Sequence, residues 1–255
     1  MITGTEAFYE KLQKFDWYYM DDKTEYDYAS QWITPSDLVL EIGCGKAAFS
    51  EKITPKEYVG LEFSQNAKLL ANKPNLTILN ESIEEHANKH KEAYNIVCAF
   101  QVLEHISDIY SFIKASIDCL KPGGLLIYSI PSADSFIYCA KNNILNMPPH
   151  HISWWSDRAL NYVSNLFGLK LVDIHHEKLS EIHKKWYSSL IISQALEKIA
   201  GFHSHQKLID LSLGYKILLK ISSLGGAWLA KGLGDPKVLP NGHSVTVVYQ
   251  KSAGK

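Results

Sequence analysis

Residues 38–48 read Leu-Val-Leu-Glu-Ile-Gly-Cys-Gly-Lys-Ala-Ala. A short apolar run ends in an acid, Glu41, and then breaks at Gly43 and Gly45. A helix-compatible segment, 47–53, follows at once. That order predicts a strand, a tight turn and a helix. The glycines let the main chain turn sharply and let a ligand approach it with no Cβ in the way. A helix start would add unpaired N–H groups at the same place.

Two kinds of nucleoside cofactor use such a turn. Gly43-x-Gly45-x-x-Ala48 fits the loose dinucleotide pattern. Glu41 argues against it, because a dinucleotide brings a pyrophosphate to this turn and a carboxylate two residues before the first glycine repels it. S-adenosylmethionine carries a sulfonium and an ammonium and no phosphate, so an acid at the strand end suits it. Tyr58-Val59-Gly60-Leu61-Glu62 reads as a second short strand ending in a carboxylate. It lies about 20 residues past the turn, where a ribose-binding acid belongs. Both cofactors contain ribose, so Glu62 supports a nucleoside without choosing between them.

Four stretches recur in order: Glu41-Ile42-Gly43-Cys44-Gly45, then Glu62, then Phe100-Gln101-Val102-Leu103-Glu104-His105, then Leu120-Lys121-Pro122-Gly123-Gly124. From roughly residue 37 to 176 the chain resembles class I S-adenosylmethionine-dependent methyltransferases. The resemblance implies an α/β fold, a doubly wound, seven-stranded, mostly parallel sheet whose last strand runs antiparallel. It implies cofactor contacts from Glu41, Gly43, Cys44 and Gly45 at the turn, and from Glu62 and Phe63 at the second strand. Glu81 and Ser82 stand where the family holds the adenine, and Phe100 and Gln101 complete the set.

The 255 residues are 46% hydrophobic with a net charge of −1, enough for one large α/β domain and without the basic balance of nucleic-acid binders. No nucleic-acid partner is expected. Cys44, Cys98, Cys119 and Cys139 lack metal-finger spacing and read as reduced thiols of a cytoplasmic protein. No signal peptide and no run of 18 apolar residues is seen, so no spanning helix is expected.

Residues 1–35 carry Phe8, Tyr9, Phe15, Trp17, Tyr18, Tyr19, Tyr26, Tyr28 and Trp32, and the resemblance makes this segment a helical lid over the cofactor. The cofactor-binding core spans 36–177, with a short helix at 65–71, a third strand at 76–80 and a buried fourth strand from Tyr94 to Phe100. A helix is expected from Gln101 to about Leu120, a fifth strand at 125–130, and a helix opened by Ser156 and closed by Gly168. A sixth strand covers 169–175 and a seventh 243–249. Residues 178–240 intervene as a helical insertion, with periodic stretches at 186–199 and 207–221 and a short, glycine-broken one at 224–230. The last strand and tail occupy 241–255.

Methyl transfer requires an aligned acceptor and removal of its proton. The candidate catalytic residues are Glu104, His105, His150 and His151. On a helix, Gln101, Glu104 and His105 share a face. One reading makes a histidine the base, most readily His150 or His151. A second has Glu104, His105 and a loop histidine holding a divalent metal, as in methyltransferases of quinone precursors and small-RNA ends that carry Glu-x-x-Glu-His. Gln101 replaces the first of those acids, and no metal is assigned. A third makes Glu104 and His105 structural. His175, His176, His183, His203 and His205 read as surface or insertion residues.

The insertion reads either as a cap over the acceptor pocket or as a peripheral membrane contact through 186–232, where Lys216, Lys220 and Lys231 punctuate apolar residues beside Trp228. The function expected is O-methylation of a small-molecule acceptor, a saccharide or lipid-linked intermediate. Gln101 to His105 together with Pro149-His150-His151 and Trp154-Trp155 is similar to methyltransferases of surface-polysaccharide sugars. Two other classes stay open: a nicotinamide-dependent oxidoreductase, and a non-catalytic S-adenosylmethionine-binding module of a complex.

Overall fold

The computed structural model describes residues 23–64, 74–140, 143, 146–200, 212–234 and 239–253. Tyr18 and Tyr19, the helix expected at 65–71, and His203 and His205 lie outside them. Seven strands form one sheet: β1 (Leu38–Ile42), β2 (Glu57–Leu61), β3 (Leu76–Leu79), β4 (Tyr94–Phe100), β5 (Leu120–Pro131), β6 (Lys170–Lys178) and β7 (Asn241–Gln250). Their order is β3-β2-β1-β4-β5-β7-β6. The first five run parallel, and β7 lies antiparallel between β5 and β6.

Side chains alternate between two cores, as a two-sided parallel sheet requires. Leu40, Ile42, Val97, Ala99, Leu126, Tyr128, Val245 and Val247 face one core. It is covered by α2 (Ile83–Lys89), α3 (Ile109–Cys119) and α4 (Asp157–Phe167) through Ile83, Phe112, Ile113, Leu160 and Val163. Val39, Ile96, Cys98, Phe100, Ile127 and Val248 face the other, under Tyr26 and Ala29 of α1 (Thr24–Ser30) and Phe49. Crossing β1 and β4, these alternations leave Glu41 on the α1 side, beside Cys98 in register.

Two helices differ from the sequence expectation. After Gly45 the chain makes only a four-residue 3-10 turn, Ala48–Glu51, because Ala47 sits in the left-handed region at φ 57° and cannot start an α-helix. The helix expected from Gln101 is likewise broken. Gln101 has φ +58°, Leu103–His105 is a 3-10 turn, and α3 begins only after Asp108, whose side chain accepts the Ser111 N–H at 3.1 Å. By contrast α4 has the expected ends, with Ser156 accepting from Ala159 N–H and Gly168 at φ +65°.

Between β6 and β7 lie α5 (Glu181–Ala200) and α6 (Leu213–Leu229). The glycines at 225 and 226 do not break α6. They let it press on α5: a Cβ on Gly226 would stand 2.2 Å from Ser189 Oγ and 2.8 Å from Ser189 Cα, and one on Gly225 2.9 Å from Ile192 Cδ1. Gly226→Ala therefore destabilises the fold despite alanine's better helix propensity. We expect a loss of about 1–3 kcal/mol, read as a Tm lowered by several degrees in thermal unfolding.

Candidate active site

The carboxyl edge of β1 and β2 forms the first half of the site. Glu41 is 2% exposed, its Oε2 accepts no hydrogen bond among the described residues, and burial raises its pKa far above the ordinary carboxylate value. The nearby Lys23 opposes that rise, while Glu62 adds to it. A dry, under-satisfied carboxylate at this place fits a cationic ligand and disfavours an anionic one. Gly43 and Gly45 both have positive φ, and a Cβ on Gly43 would lie 2.6 Å from Val102 Cγ2. The glycine turn is thus seated directly on the segment that leads to Glu104. Gly60 leaves room for Cys44, whose Sγ would be 2.5 Å from an added Cβ.

Glu62 clamps the turn. Its carboxylate accepts from Gly45 N–H and from Ser64 N–H, both at 2.9 Å. Phe63 is 64% exposed beside it. Glu81 and Ser82, expected at the adenine, are engaged differently. Glu81 binds His86 Nδ1 at 2.6 Å and Lys89 Nζ at 3.0 Å, and these partners lower its pKa. Ser82 is the N-cap of α2 in a capping box with Glu85. Phe100 lies under Tyr26, edge-on at 4.9 Å, and Phe49 is 4.7 Å from it.

Gln101 does not share a face with Glu104 and His105. Its left-handed backbone sends the side chain to Glu25 Oε1 at 3.3 Å and Ser244 Oγ at 3.1 Å. Glu25 is buried, which raises its pKa. The role of Glu25 and Ser244 has no signal in the sequence, since they are 76 and 143 residues from Gln101 and meet it only through tertiary folding.

The second half of the site is a cluster of Glu104, His105, His150 and His151. Glu104 O accepts from Ile152 N–H at 2.9 Å and Ser153 N–H at 3.3 Å, which latches the loop after β5 onto the 3-10 turn. One ligand atom of each histidine lies within 4.8 Å of the others. His105 Nδ1 donates to His150 O at 2.6 Å, and His151 Nδ1 to Asn146 Oδ1 at 2.9 Å. These bonds fix both tautomers and leave each Nε2 with its lone pair. The two Nε2 atoms stand 3.9 and 4.0 Å from Glu104 Oε1. Glu104 is 1% exposed, and neither carboxylate oxygen accepts a hydrogen bond among the described residues.

Burial pushes the Glu104 pKa up to about 8. Burial and the neighbouring imidazoles push His150 down to about 4 and His151 to about 2, and burial also lowers His105. The cluster is therefore three neutral imidazoles around a dehydrated acid. It is competent to accept a proton or to hold a divalent cation, with backbone and carboxamide acceptors orienting the rings from behind. Of the other histidines, His175 stacks on Tyr28 at 4.0 Å, His176 pairs with Asp157, and His183 packs against Phe136 and His243.

Residues 12–174, more than half of the chain, match the family model described as a methyltransferase domain. The chain belongs to the class I methyltransferases, with S-adenosylmethionine as methyl donor. This family membership closes the nicotinamide reading, and the lack of an α-helix after Gly45 agrees, since no helix N-terminus is there for a pyrophosphate. The methyltransferase is 33% identical over 99 residues to the ubiquinone biosynthesis O-methyltransferases of Citrobacter koseri and Salmonella enteritidis. The match covers 36% of this chain and 41% of theirs, so the chain spans about two fifths of the length of those curated relatives. In fold it is similar to an S-adenosylmethionine-dependent methyltransferase from Archaeoglobus fulgidus, with TM-score 0.61 and 14% identity over 95% of this chain and 100% of that one. A Haemonchus contortus phosphoethanolamine N-methyltransferase, in complex with S-adenosylhomocysteine, gives TM-score 0.55 and 14% identity over 89% and 52%.

The raised pKa of Glu104 has a stability signature. In the unfolded chain its carboxyl ionises near 4.5, whereas in the folded methyltransferase it holds its proton to about 8. The native state thus binds more protons across that window, and stability falls as pH rises through it. The histidines, depressed in the fold, act in the opposite sense and only below their unfolded pKa of 6.5. In chelator-treated protein we expect about 2 kcal/mol to be lost between roughly pH 6.5 and 8. Glu104→Gln should flatten that slope in a Tm-against-pH series.

Proposed function

We propose that this methyltransferase methylates an oxygen of a small-molecule acceptor, and that the acceptor hydroxyl is ionised at the Glu104, His105, His150 and His151 cluster. The observation that carries it is the placing of the His105 and His151 Nε2 atoms 3.9 and 4.0 Å from one oxygen of a buried carboxyl. S-adenosylmethionine supplies an electrophilic methyl group on a cationic sulfur. Glu41 offers the buried negative charge that suits that cation, and Gly43 and Gly45 let it approach the main chain. Glu62 is the candidate for the ribose hydroxyls, and Cys44, Phe63, Phe100 and Gln101 border the same edge. Glu81 and Ser82 are placed at the adenine by resemblance, through their backbone, because their side chains are engaged within α2 and its cap. His105 or His151 takes the acceptor proton at Nε2, while its Nδ1–H stays bonded to its carbonyl partner.

A second reading of the cluster is favoured by the same numbers. A histidine with a pKa near 2 to 4 is a weak base toward a hydroxyl but a ready ligand. His105, His150 and His151, with Glu104 beside two of them, would hold a divalent cation, which would lower the acceptor's pKa and compensate the buried acid.

The acceptor reading is a saccharide or lipid-linked intermediate, handled in the cytoplasm at the inner membrane face. The name of the ubiquinone O-methyltransferases supports an oxygen acceptor, and Trp154, about half exposed and bonded to Asn146 O, offers a flat apolar surface beside the histidines. Incubation with labelled S-adenosylmethionine and fractionated extract should carry label into saccharide, lipid or quinone pools. His105→Ala and His151→Ala should cut turnover by at least 10²-fold with cofactor affinity near normal. If those two and His150→Ala all keep full turnover, the cluster is not the reacting centre and a non-catalytic module becomes the better account. Loss of turnover in chelator, restored by Mg²⁺, Mn²⁺ or Zn²⁺, selects the cation reading, whereas full turnover in chelator selects the base.

A further inference from the structure

Helix α6 is apolar on two opposite faces, and among the described residues only one of them is covered. Tyr215, Leu218, Ser222 and Gly226 are its buried residues, and Gly226 meets α5 at Ser189. Leu213, Ile217, Ile221, Leu224 and Trp228 recur at i, i+4, i+8, i+11 and i+15, which puts them on one line along the other side. All five are more than half exposed, Leu224 71% and Trp228 79%. Single exposed apolar residues are ordinary, but a continuous stripe of five over four turns is a contact surface.

The charges around it name the partner. Residues 212–234 hold Lys216, Lys220 and Lys231 and no aspartate or glutamate, in a chain whose net charge is only −1. By helical geometry Lys216 and Lys220 flank one edge of the stripe, and Lys231 follows its end. None of the three is in an ion pair among the described residues. An apolar stripe edged by lysines, with a tryptophan at one end, is built for the boundary between acyl chains and anionic headgroups. A second copy of the chain is a poorer fit, since a two-fold contact would set these lysines against their own counterparts. No helix among the described residues is long and apolar enough to cross a membrane, so α6 would lie in the surface plane.

We propose that α6 docks the protein on an anionic lipid bilayer, with Leu213, Ile217, Ile221, Leu224 and Trp228 inserted and Lys216, Lys220 and Lys231 on the headgroups. The face stands on α6 alone and does not depend on the acceptor reading. Its partner helix α5 touches the turn that precedes the site loop. Trp186 of α5 packs edge-on against Phe136 at 5.0 Å, in the 3-10 turn Phe136–Cys139 that follows β5 and precedes the loop bearing His150 and His151.

The test is co-sedimentation of the full chain with vesicles of phosphatidylcholine alone and of phosphatidylcholine with phosphatidylglycerol. Binding is expected to the anionic vesicles at low salt, at least tenfold tighter than to the neutral ones, and to weaken as salt is raised. Leu224→Asp or Trp228→Asp should reduce it at least tenfold. Each of Lys216→Gln and Lys220→Gln should reduce it about fivefold. All four positions are exposed, and unchanged thermal unfolding and S-adenosylmethionine binding report that the variants are folded. No preference for anionic vesicles, or equal binding by the Leu224 and Trp228 variants, overturns the proposal. Self-association that Leu224→Asp abolishes, without vesicle binding, also overturns it and gives the stripe to a second copy.

Discussion

A carboxylate kept dry at the end of β1 sets the terms for half of this structure. Glu41 is held in the central part of the sheet, with β2 on one side and β4 on the other, and it faces the layer formed by Tyr26, Phe49 and Phe100. Water cannot reach it to compensate the charge, so its pKa rises and its Oε2 is left without a hydrogen bond. Such a group is stable as an anion only when a cation comes to it. That requirement makes a glycine turn of the kind shared with dinucleotide enzymes better suited to a sulfonium than to a pyrophosphate. The aromatic layer keeps water away from Glu41.

Glu104 repeats the same device at the next strand end, with a different outcome. Its side chain is equally dry, but its neighbours are imidazoles rather than aromatic hydrocarbon, and its backbone carbonyl holds the returning loop at Ile152 and Ser153. One residue thus latches the loop that carries the histidines and places a dry carboxyl among them. The two acids divide the site. In the proposed reading the first addresses the methyl donor, and the second addresses whatever accepts the methyl group. Val102 joins them, since its side chain fills the space over Gly43 and its backbone leads into the 3-10 turn that carries Glu104.

Much of this was readable from local pattern. The apolar run of β4, the Ser156 and Gly168 caps of α4 and the glycine turn after β1 each carry a short-range signal that the fold preserves. The misread elements share a cause. Helical spacing at 101–105 looked continuous because the residue types permit a helix, whereas Gln101 is pulled into the left-handed region by its Ser129 backbone bond and its Glu25 and Ser244 partners. Ala47 is likewise an alanine in a conformation that its propensity disfavours. The glycines of α6 looked like a break and are instead the contact with α5, visible only once Ser189 is opposite them. Long-range partners decided the Gln101 and α6 cases, and a local pattern contains no record of them.

Among the described residues, the insertion between β6 and β7 packs on the turn after β5, on the proposed acceptor side of the site. Its anchor is the aromatic cluster of Phe136, Trp186 and Tyr187 with Leu179 and Leu239, attached to the turn after β5. The donor side rests on β1, β2 and β4, none of which that cluster includes. A displacement of α5 and α6 would therefore be transmitted first to the loop bearing His150 and His151, while the glycine turn and Glu41 stayed fixed by the sheet. This separates the two demands on a methyltransferase. Methyl-donor binding needs a rigid, dry edge, and acceptor choice needs a surface that can differ from one protein to another. Here the rigid demand is met by strand register, while α5 and α6 lie in the chain between β6 and β7 and pack onto the turn after β5.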